Sequence, residues 1–229
     1  MSKDEDISIG IVGLSEWDVE EGQTGRGLYI DTTRGRIKTL IHHDPELPTK
    51  KAIVWVSGAS GGLDGPADRM YQLLGEEMAP DVTSIRLDYR HPGDLTESVM
   101  DTLSAVSFLT GTGHEDIVLV GHSFGGAVVI SAAPFSDDVR GVVALSSQTA
   151  GAFNVSNVAP RALLLIHGDE DLVLHHNCSE MIFNWANEPK ELLLMPGSGH
   201  RLSECAREVQ FKVKQWVLEH LKCGIDLGK

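Results

Sequence analysis

A serine flanked by glycines constrains the fold of this chain more than any other feature. Residues 121–126 read Gly-His-Ser-Phe-Gly-Gly, directly after the apolar run 117–120 and directly before the small residues 127–133. This order predicts a strand, a tight turn with Ser123 at its tip, and a helix. Glycines two positions before and after the serine allow the strand and the helix to approach closely. The chain is therefore expected to hold a serine hydroxyl above one end of a buried sheet.

Segments with strand and helix patterns alternate along most of the chain. Continuous apolar strands between helices are typical of a parallel sheet that is covered on both faces. We therefore predict an α/β fold: a doubly wound, mainly parallel sheet with an N-terminal hairpin, in a single domain over 1–229 with an extension at 1–26. The strands are predicted at 27–31, 37–42, 52–56, 83–87, 117–120, 142–145, 162–166 and 192–195, and the helices at 68–78, 94–109, 124–133, 176–186 and 205–221.

Composition narrows the class of protein. The chain has 229 residues, of which 41% are hydrophobic, as expected for a globular domain with a sizeable core. Its net charge of −14 argues against nucleic acid or an anionic membrane as a partner. Cys178, Cys205 and Cys223 are odd in number and lack the spacing of metal ligands, which argues against a disulfide framework and a metal site. With no signal-peptide pattern and no apolar run of membrane-spanning length, the sequence predicts a cytoplasmic protein.

Two later strand ends carry the groups that would activate a serine. A serine hydroxyl needs a histidine base at neutral pH, and that histidine needs a carboxylate to orient it. The strand 162–166 leads into the acidic loop 169–171, and the strand 192–195 leads into a loop that ends at His200. Of the ten histidines, only His200 both follows the acidic loop and lies in a strand-end loop. The residue order leaves the three carboxylates of the acidic loop as alternatives.

These motifs resemble those of the α/β-hydrolase superfamily, and the resemblance covers about 27–221. It implies that Ser123 is the nucleophile and His200 the base. In many relatives the acidic loop reads His-Gly-x-x-Asp and its last residue is the acid, which here is Asp171, with Asp169 as the alternative. The compact chain is similar to small lidless carboxylesterases and to the dienelactone-hydrolase-like branch, although dienelactone hydrolases have Cys as the nucleophile. The resemblance implies no cofactor.

The resemblance also implies an oxyanion hole built from two backbone N–H groups. One donor follows the nucleophile, at Phe124. The other lies in the Gly-rich loop after the strand 52–56, and we assign it to Ala59, with Ser60 as the alternative. Many relatives have His where this chain has Ser57. Because the donor is a backbone group, that replacement does not by itself remove the hole.

The short connection at 146–161 has no room for the cap domain that many relatives insert there, so we expect an open site. The expected reaction is hydrolysis of small or short-acyl esters through an acyl-enzyme, with a small-molecule ester as the partner. The same triad would also serve a thioesterase, a peptidase or an acyltransferase, and the fold also carries non-catalytic ligand-binding proteins. Nothing in the sequence indicates the oligomeric state. The residues expected to contact substrate are Ser60, Met70, His122, Phe153 and Leu174.

Overall fold

The computed structural model describes residues 8–221, which form one nine-stranded sheet with helices on both faces. Cys223 and residues 1–7 of the predicted extension lie outside the described part. The strands are β1 (Ile11–Glu16), β2 (Arg26–Thr32), β3 (Gly35–His42), β4 (Lys51–Val56), β5 (Thr83–Asp88), β6 (Asp116–His122), β7 (Val139–Leu145), β8 (Ala162–Gly168) and β9 (Lys190–Met195). The helices are α1 (Pro66–Met78), α2 (Leu95–Gly111), α3 (Phe124–Ala132), α4 (Asn177–Trp185) and α5 (Ala206–His220).

The sheet is antiparallel at one end and parallel over the rest. Its strand order is β1-β2-β3-β5-β4-β6-β7-β8-β9. Strands β1, β2 and β3 pair antiparallel, and β3 pairs antiparallel with β5. All other pairs, from β5–β4 to β8–β9, are parallel. The predicted N-terminal hairpin is β2–β3, and the predicted doubly wound, mainly parallel α/β fold is confirmed.

The core has two layers because successive side chains of a strand point to opposite faces. In β4, Val54 and Val56 belong to the layer that packs against α2, α3 and α4. Ile53 and Trp55 belong to the layer that packs against α1 and α5. All four side chains are fully buried, which explains the continuous apolar sequence of this central strand.

The two edge strands differ from the sequence-based prediction. Strand β1 lies within the predicted extension 1–26 and pairs with β2 on one side only. Its apolar side chains stay half exposed, so its sequence lacks the pattern of a buried strand. Strand β9 was predicted from an apolar run typical of burial on both faces, but Leu194 is 37% exposed because the strand lies at the edge.

The parallel strands bring several loops together at their carboxyl ends. The loops after β4, β6, β8 and β9 meet there, and they contain the residues that the sequence singled out. The connection between β7 and β8 consists of turns and one 3₁₀ turn, Val155–Asn157, so no cap domain is inserted at this point. Within residues 8–221, no helix is both long and apolar enough to cross a membrane.

Candidate active site

Ser123 lies in a strained turn between β6 and α3. Its backbone has a φ of 58° and a ψ of −118°, a left-handed conformation that is costly for a non-glycine residue. A β-carbon on Gly121 would lie 2.1 Å from the carbonyl oxygen of Gly125, and one on Gly125 would lie 2.4 Å from the carbonyl oxygen of Ser57. The Ser123 N–H donates to the carbonyl oxygen of Leu145 at 2.8 Å. Close backbone packing therefore requires both glycines and holds the serine at the end of the sheet.

Hydrogen bonds connect Ser123 with side chains from two other loops. The Nε2 atom of His200 lies 3.1 Å from Ser123 Oγ, and its Nδ1 atom lies 2.7 Å from Asp171 Oδ2. An ionised carboxylate only accepts, so we assign the ring hydrogen to Nδ1, which leaves Nε2 free to accept from the serine hydroxyl. The three side chains named from the sequence are thus in contact, in the order serine, histidine, aspartate.

The Asp171 side chain is fully buried and held by backbone donors. Its Oδ1 atom accepts from the N–H groups of Val173 and Leu174 at 2.8 and 2.9 Å. Burial acts to raise the pKa of Asp171, but the hydrogen bonds from Leu174, His200 and Val173 outweigh it and hold the pKa below its ordinary value. The carboxylate is therefore ionised at neutral pH, as an orienting acceptor must be.

Asp169, the alternative acid, has a different partner. Its Oδ1 atom accepts from the N–H of Gly197 at 2.7 Å, and its own N–H donates to the carbonyl oxygen of Met195 at 3.1 Å. These bonds tie the acidic loop to the loop that carries His200, but they do not reach the imidazole. The geometry therefore favours Asp171 over Asp169 as the partner of His200.

A second histidine, for which the sequence predicts no role, contacts the same aspartate. His167 is fully buried; its Nε2 atom lies 3.1 Å from Asp171 Oδ2 and 2.9 Å from the carbonyl oxygen of Leu174. Both neighbours are acceptors, so Nε2 carries the hydrogen, and Nδ1 accepts from the Ser179 hydroxyl at 2.7 Å. Burial lowers the pKa of His167. A neutral His167 thus donates to Asp171. His167 is the first residue of the His-Gly-x-x-Asp motif, and this position was the only sign of its contact in the sequence.

His122 connects the turn at Ser123 to the loop of His200. Its Nε2 atom donates to the carbonyl oxygen of His200 at 2.9 Å, and the two ring centres are 4.8 Å apart. Burial lowers the pKa of His122 to about 4, so this side chain is neutral at physiological pH. It holds the backbone of His200 while its own ring borders the space above Ser123.

The Gly-rich loop after β4 passes directly over Ser123. A β-carbon on Gly58 would lie 3.5 Å from the Ser123 β-carbon. Asp88 Oδ1 accepts from the N–H of Gly62 at 2.7 Å and so holds the loop from β5. Within the described residues, the N–H groups of Ala59 and Phe124 have no hydrogen-bond acceptor. The two positions predicted from the sequence thus keep free backbone donors, Phe124 directly after the serine and Ala59 in the wall of the same cavity.

A cavity of about 560 Å³ opens over Ser123, a volume suited to a small ligand. Two of the residues expected to contact substrate, Ser60 and His122, line it. Across the part of the chain that the structure describes, no cluster of three or more His, Cys, Asp and Glu side chains could hold a metal ion. The cavity is lined by residues Ser57–Gly65, His122, Ser123, Val173, His200 and Arg201.

Three residues that we expected to contact substrate lie elsewhere. Met70 is fully buried in the core layer of α1 and α5, because it is on the apolar face of α1. Phe153 is 72% exposed and packs against Trp185, with ring centres 5.5 Å apart. Leu174 contributes backbone groups to the loop of Asp171, while its neighbour Val173 lines the cavity. None of these three residues is among those that line the cavity above Ser123.

The doubly wound sheet, the strained serine turn and its histidine and aspartate partners define an α/β-hydrolase. The profile of the alpha/beta hydrolase family matches residues 53–196, and the chain belongs to that family. The uncharacterized protein YfhR of Escherichia coli K12 is 26% identical over 46% of this chain, and the aligned part is 45% of its own length. This chain therefore spans less than half the length of the curated relatives that it matches.

Three solved structures of similar fold can be compared with this chain. Est1E from Butyrivibrio proteoclasticus has a TM-score of 0.75 at 18% identity, covering 87% of this chain and all of its own. Dienelactone hydrolase from Anabaena variabilis has a TM-score of 0.74 at 16% identity, over 90% of this chain and 98% of its own. The lidless serine hydrolase XC6422 from Xanthomonas campestris has a TM-score of 0.69 at 18% identity, over 88% and 96%. At these identities the likeness supports the fold alone.

Proposed function

We propose that this protein is a carboxylesterase-like serine hydrolase that cleaves small or short-acyl esters. The observation that carries the proposal is the hydrogen-bonded path from Ser123 Oγ through His200 to the buried carboxylate of Asp171. This path supplies a nucleophile, a base and an orienting acid in one line, which is the arrangement that acyl transfer requires. The proposed reaction needs no metal and no organic cofactor.

In the first half of the reaction, Ser123 Oγ attacks the ester carbonyl carbon while its proton passes to His200 Nε2. The resulting imidazolium is stabilised by the ionised Asp171. The tetrahedral intermediate collapses as His200 returns the proton to the leaving alcohol, and the acyl group stays on Ser123. Water then attacks the acyl-enzyme, giving its proton to His200, and the carboxylic acid is released as the serine regains its hydrogen.

The negative charge of the tetrahedral intermediate falls on the oxygen of the former carbonyl. The free N–H groups of Ala59 and Phe124 are the proposed donors to that oxygen. Phe124 is the first residue of α3, so the positive end of the helix dipole also faces this charge. These donors stay in place through the reaction, because Asp88 holds the Gly-rich loop and close packing holds the turn at Ser123.

The comparisons favour an ester, and two features of the structure favour a small one. Similar structures include Est1E with bound ferulic acid and an esterase domain from a Rhodothermus marinus protein. The cavity of about 560 Å³ has the size of a small-ligand site. The short β7–β8 connection adds no further wall for a long acyl chain. As part of the same proposal we place the enzyme in the cytoplasm, in keeping with its odd number of cysteines.

A fluorophosphonate probe and a set of p-nitrophenyl esters test the proposal together. We expect the probe to label the wild-type protein and not S123A, and the esters to be hydrolysed fastest at short acyl lengths. The matched control is S107A, the same substitution at an exposed serine of α2. A wild-type protein without labelling and hydrolysis would indicate a ligand-binding member of the fold. Undiminished hydrolysis by S123A would exclude Ser123 as the nucleophile.

A further inference from the structure

Arg201 presents a positive charge at the cavity without a partner. It follows His200 directly, is exposed, and lines the cavity above Ser123. Other arginines of the fold, such as Arg90 and Arg140, have carboxylate partners. Within residues 8–221, the guanidinium of Arg201 forms no hydrogen bond and no ion pair. A cation beside a reacting group, free of local partners, is available to a ligand.

The backbone on both sides of Arg201 is held in place. The carbonyl oxygen of His200 accepts from His122 at 2.9 Å, and that of Arg201 accepts from the N–H of Ala67 at 2.7 Å. The next residue, Leu202, is fully buried with a φ of 56°. The side chain of Arg201 therefore starts from a fixed point beside the imidazole, although its end is free.

The other charged or titratable groups of the cavity wall do not compensate Arg201. The Asp64 carboxylate accepts from Gln23 at 2.8 Å and lies 3.5 and 3.7 Å from the side chains of Arg69 and Arg86. His122 is neutral because burial lowers its pKa to about 4. The whole chain carries a net charge of −14, which repels an anionic ligand at long range. Attraction of such a ligand to the cavity would therefore come from the local charge of Arg201.

We propose that Arg201 binds a carboxylate of the substrate, which makes the substrate a half-ester: one carboxyl group esterified and one free. This inference rests on the proposed esterase function and specifies its substrate class. A guanidinium matches a carboxylate because its planar N–H groups can form two parallel hydrogen bonds with the two oxygens. A short dicarboxylic chain would join the ester carbon at Ser123 to the free carboxylate at Arg201.

The first test compares half-esters with diesters that differ only in the free charge. The substrates are the monomethyl and dimethyl esters of succinic, glutaric and adipic acid, a series in which the distance between the two carboxyl groups increases. We expect wild-type protein to prefer a half-ester, and R201Q to lower the kcat/KM ratio of half-ester to diester roughly tenfold. Added salt should reduce the wild-type preference. The control R36Q removes the same charge from β3, away from the cavity, and should keep the wild-type ratio.

The second test separates this inference from the proposed function. Monomethyl succinate, glutarate and adipate are titrated calorimetrically into S123A and into S123A carrying R201Q. Binding of at least one half-ester that weakens about tenfold with R201Q supports the inference, even if the wild-type protein hydrolyses no ester. Equal binding to both proteins, or no binding to S123A, overturns the inference and leaves the esterase proposal standing on its own tests.

Discussion

The Nε2–H group of His122 donates to the carbonyl oxygen of His200 at 2.9 Å, across 78 positions of sequence. One bond thus joins the strand that ends at the proposed nucleophile to the loop that carries the proposed base. His122 touches neither Asp171 nor the hydroxyl of Ser123 by a hydrogen bond. We expect His122 to position the imidazole of His200, because it holds the backbone from which that imidazole extends.

Replacing His122 should lower kcat more than it changes KM. In H122F the carbonyl oxygen of His200 loses its donor, and we expect kcat to fall by about tenfold or more, because small displacements of a catalytic group are costly. In H122Q the side-chain amide can still donate, so part of the activity should return. Steady-state kinetics of both variants check this, and equal activity of H122F and H122Q would contradict a positioning role.

Asparagine substitutions distinguish the two aspartates of the acidic loop. D171N presents an amide where His200 needs a carboxylate, and we expect kcat to fall by roughly 10,000-fold. D169N keeps a side-chain oxygen for the N–H of Gly197, so its kcat should stay near that of the wild type. The measurement is kcat on a short-chain p-nitrophenyl ester. A larger loss in D169N than in D171N would make Asp169 the acid.

Gly125, two positions after Ser123, should tolerate no side chain. In G125A the new β-carbon would lie 2.4 Å from the carbonyl oxygen of Ser57 and 2.8 Å from that of Val56. Neither oxygen can move without shifting β4, so we expect a loss of at least about 3 kcal/mol of unfolding free energy, or no folded protein. G111A is the control, since its β-carbon meets nothing within 4 Å and alanine favours the helix by up to about 1 kcal/mol. Urea unfolding measures both.

Acid should destabilise the protein through buried neutral histidines. His42 is 5% exposed, its Nε2 atom accepts from Arg86 at 3.1 Å, and burial lowers its pKa to about 4. The unfolded chain protonates this histidine near pH 6.5, as it does His122, so the unfolded state binds more protons between about pH 6.5 and 4. Their contribution to stability is therefore complete above that window and is lost as the pH falls through it.

The variant H42Q isolates one of these histidines. Glutamine supplies an acceptor for Arg86 and does not titrate. Between about pH 6.5 and 4, the wild-type unfolding free energy should fall with a slope that is steeper than that of H42Q by up to about 1.4 kcal/mol per pH unit. Urea unfolding at a series of pH values gives both slopes, and parallel slopes would show that His42 does not titrate differently in the two states.

The fold was predictable from the sequence where short patterns determine it. The strands β4, β6 and β8 each have a neighbouring strand on both sides, and their apolar runs are buried on both faces of the sheet, as such runs predict. The edge strand β1 was missed because a strand with one neighbour and half-exposed side chains needs no such run. The boundaries of the helices differ from the prediction by a few residues, as expected where capping contacts come from other segments.

The site was predictable where chemistry restricts the residue types. Glycine, serine, histidine and aspartate at strand ends identified three side chains that the structure brings together. The contact of His167 with Asp171 and the unpaired side chain of Arg201 could not be predicted, because both depend on how distant segments meet in the fold. Met70 shows the converse limit: an apolar residue on a helix face fits the core and a pocket equally well, and only the packing of α1 against α5 decides between them.

The short connection between β7 and β8 has a consequence for the second half of the proposed reaction. Residues 146–161 form turns and one 3₁₀ turn, and none of them is among the residues that line the cavity above Ser123. An acyl group on that serine would therefore meet water and small alcohols arriving from bulk solvent by the same route. The partition of the acyl-enzyme between hydrolysis and alcoholysis should then follow the concentration of added methanol, without a step in which the protein first has to open.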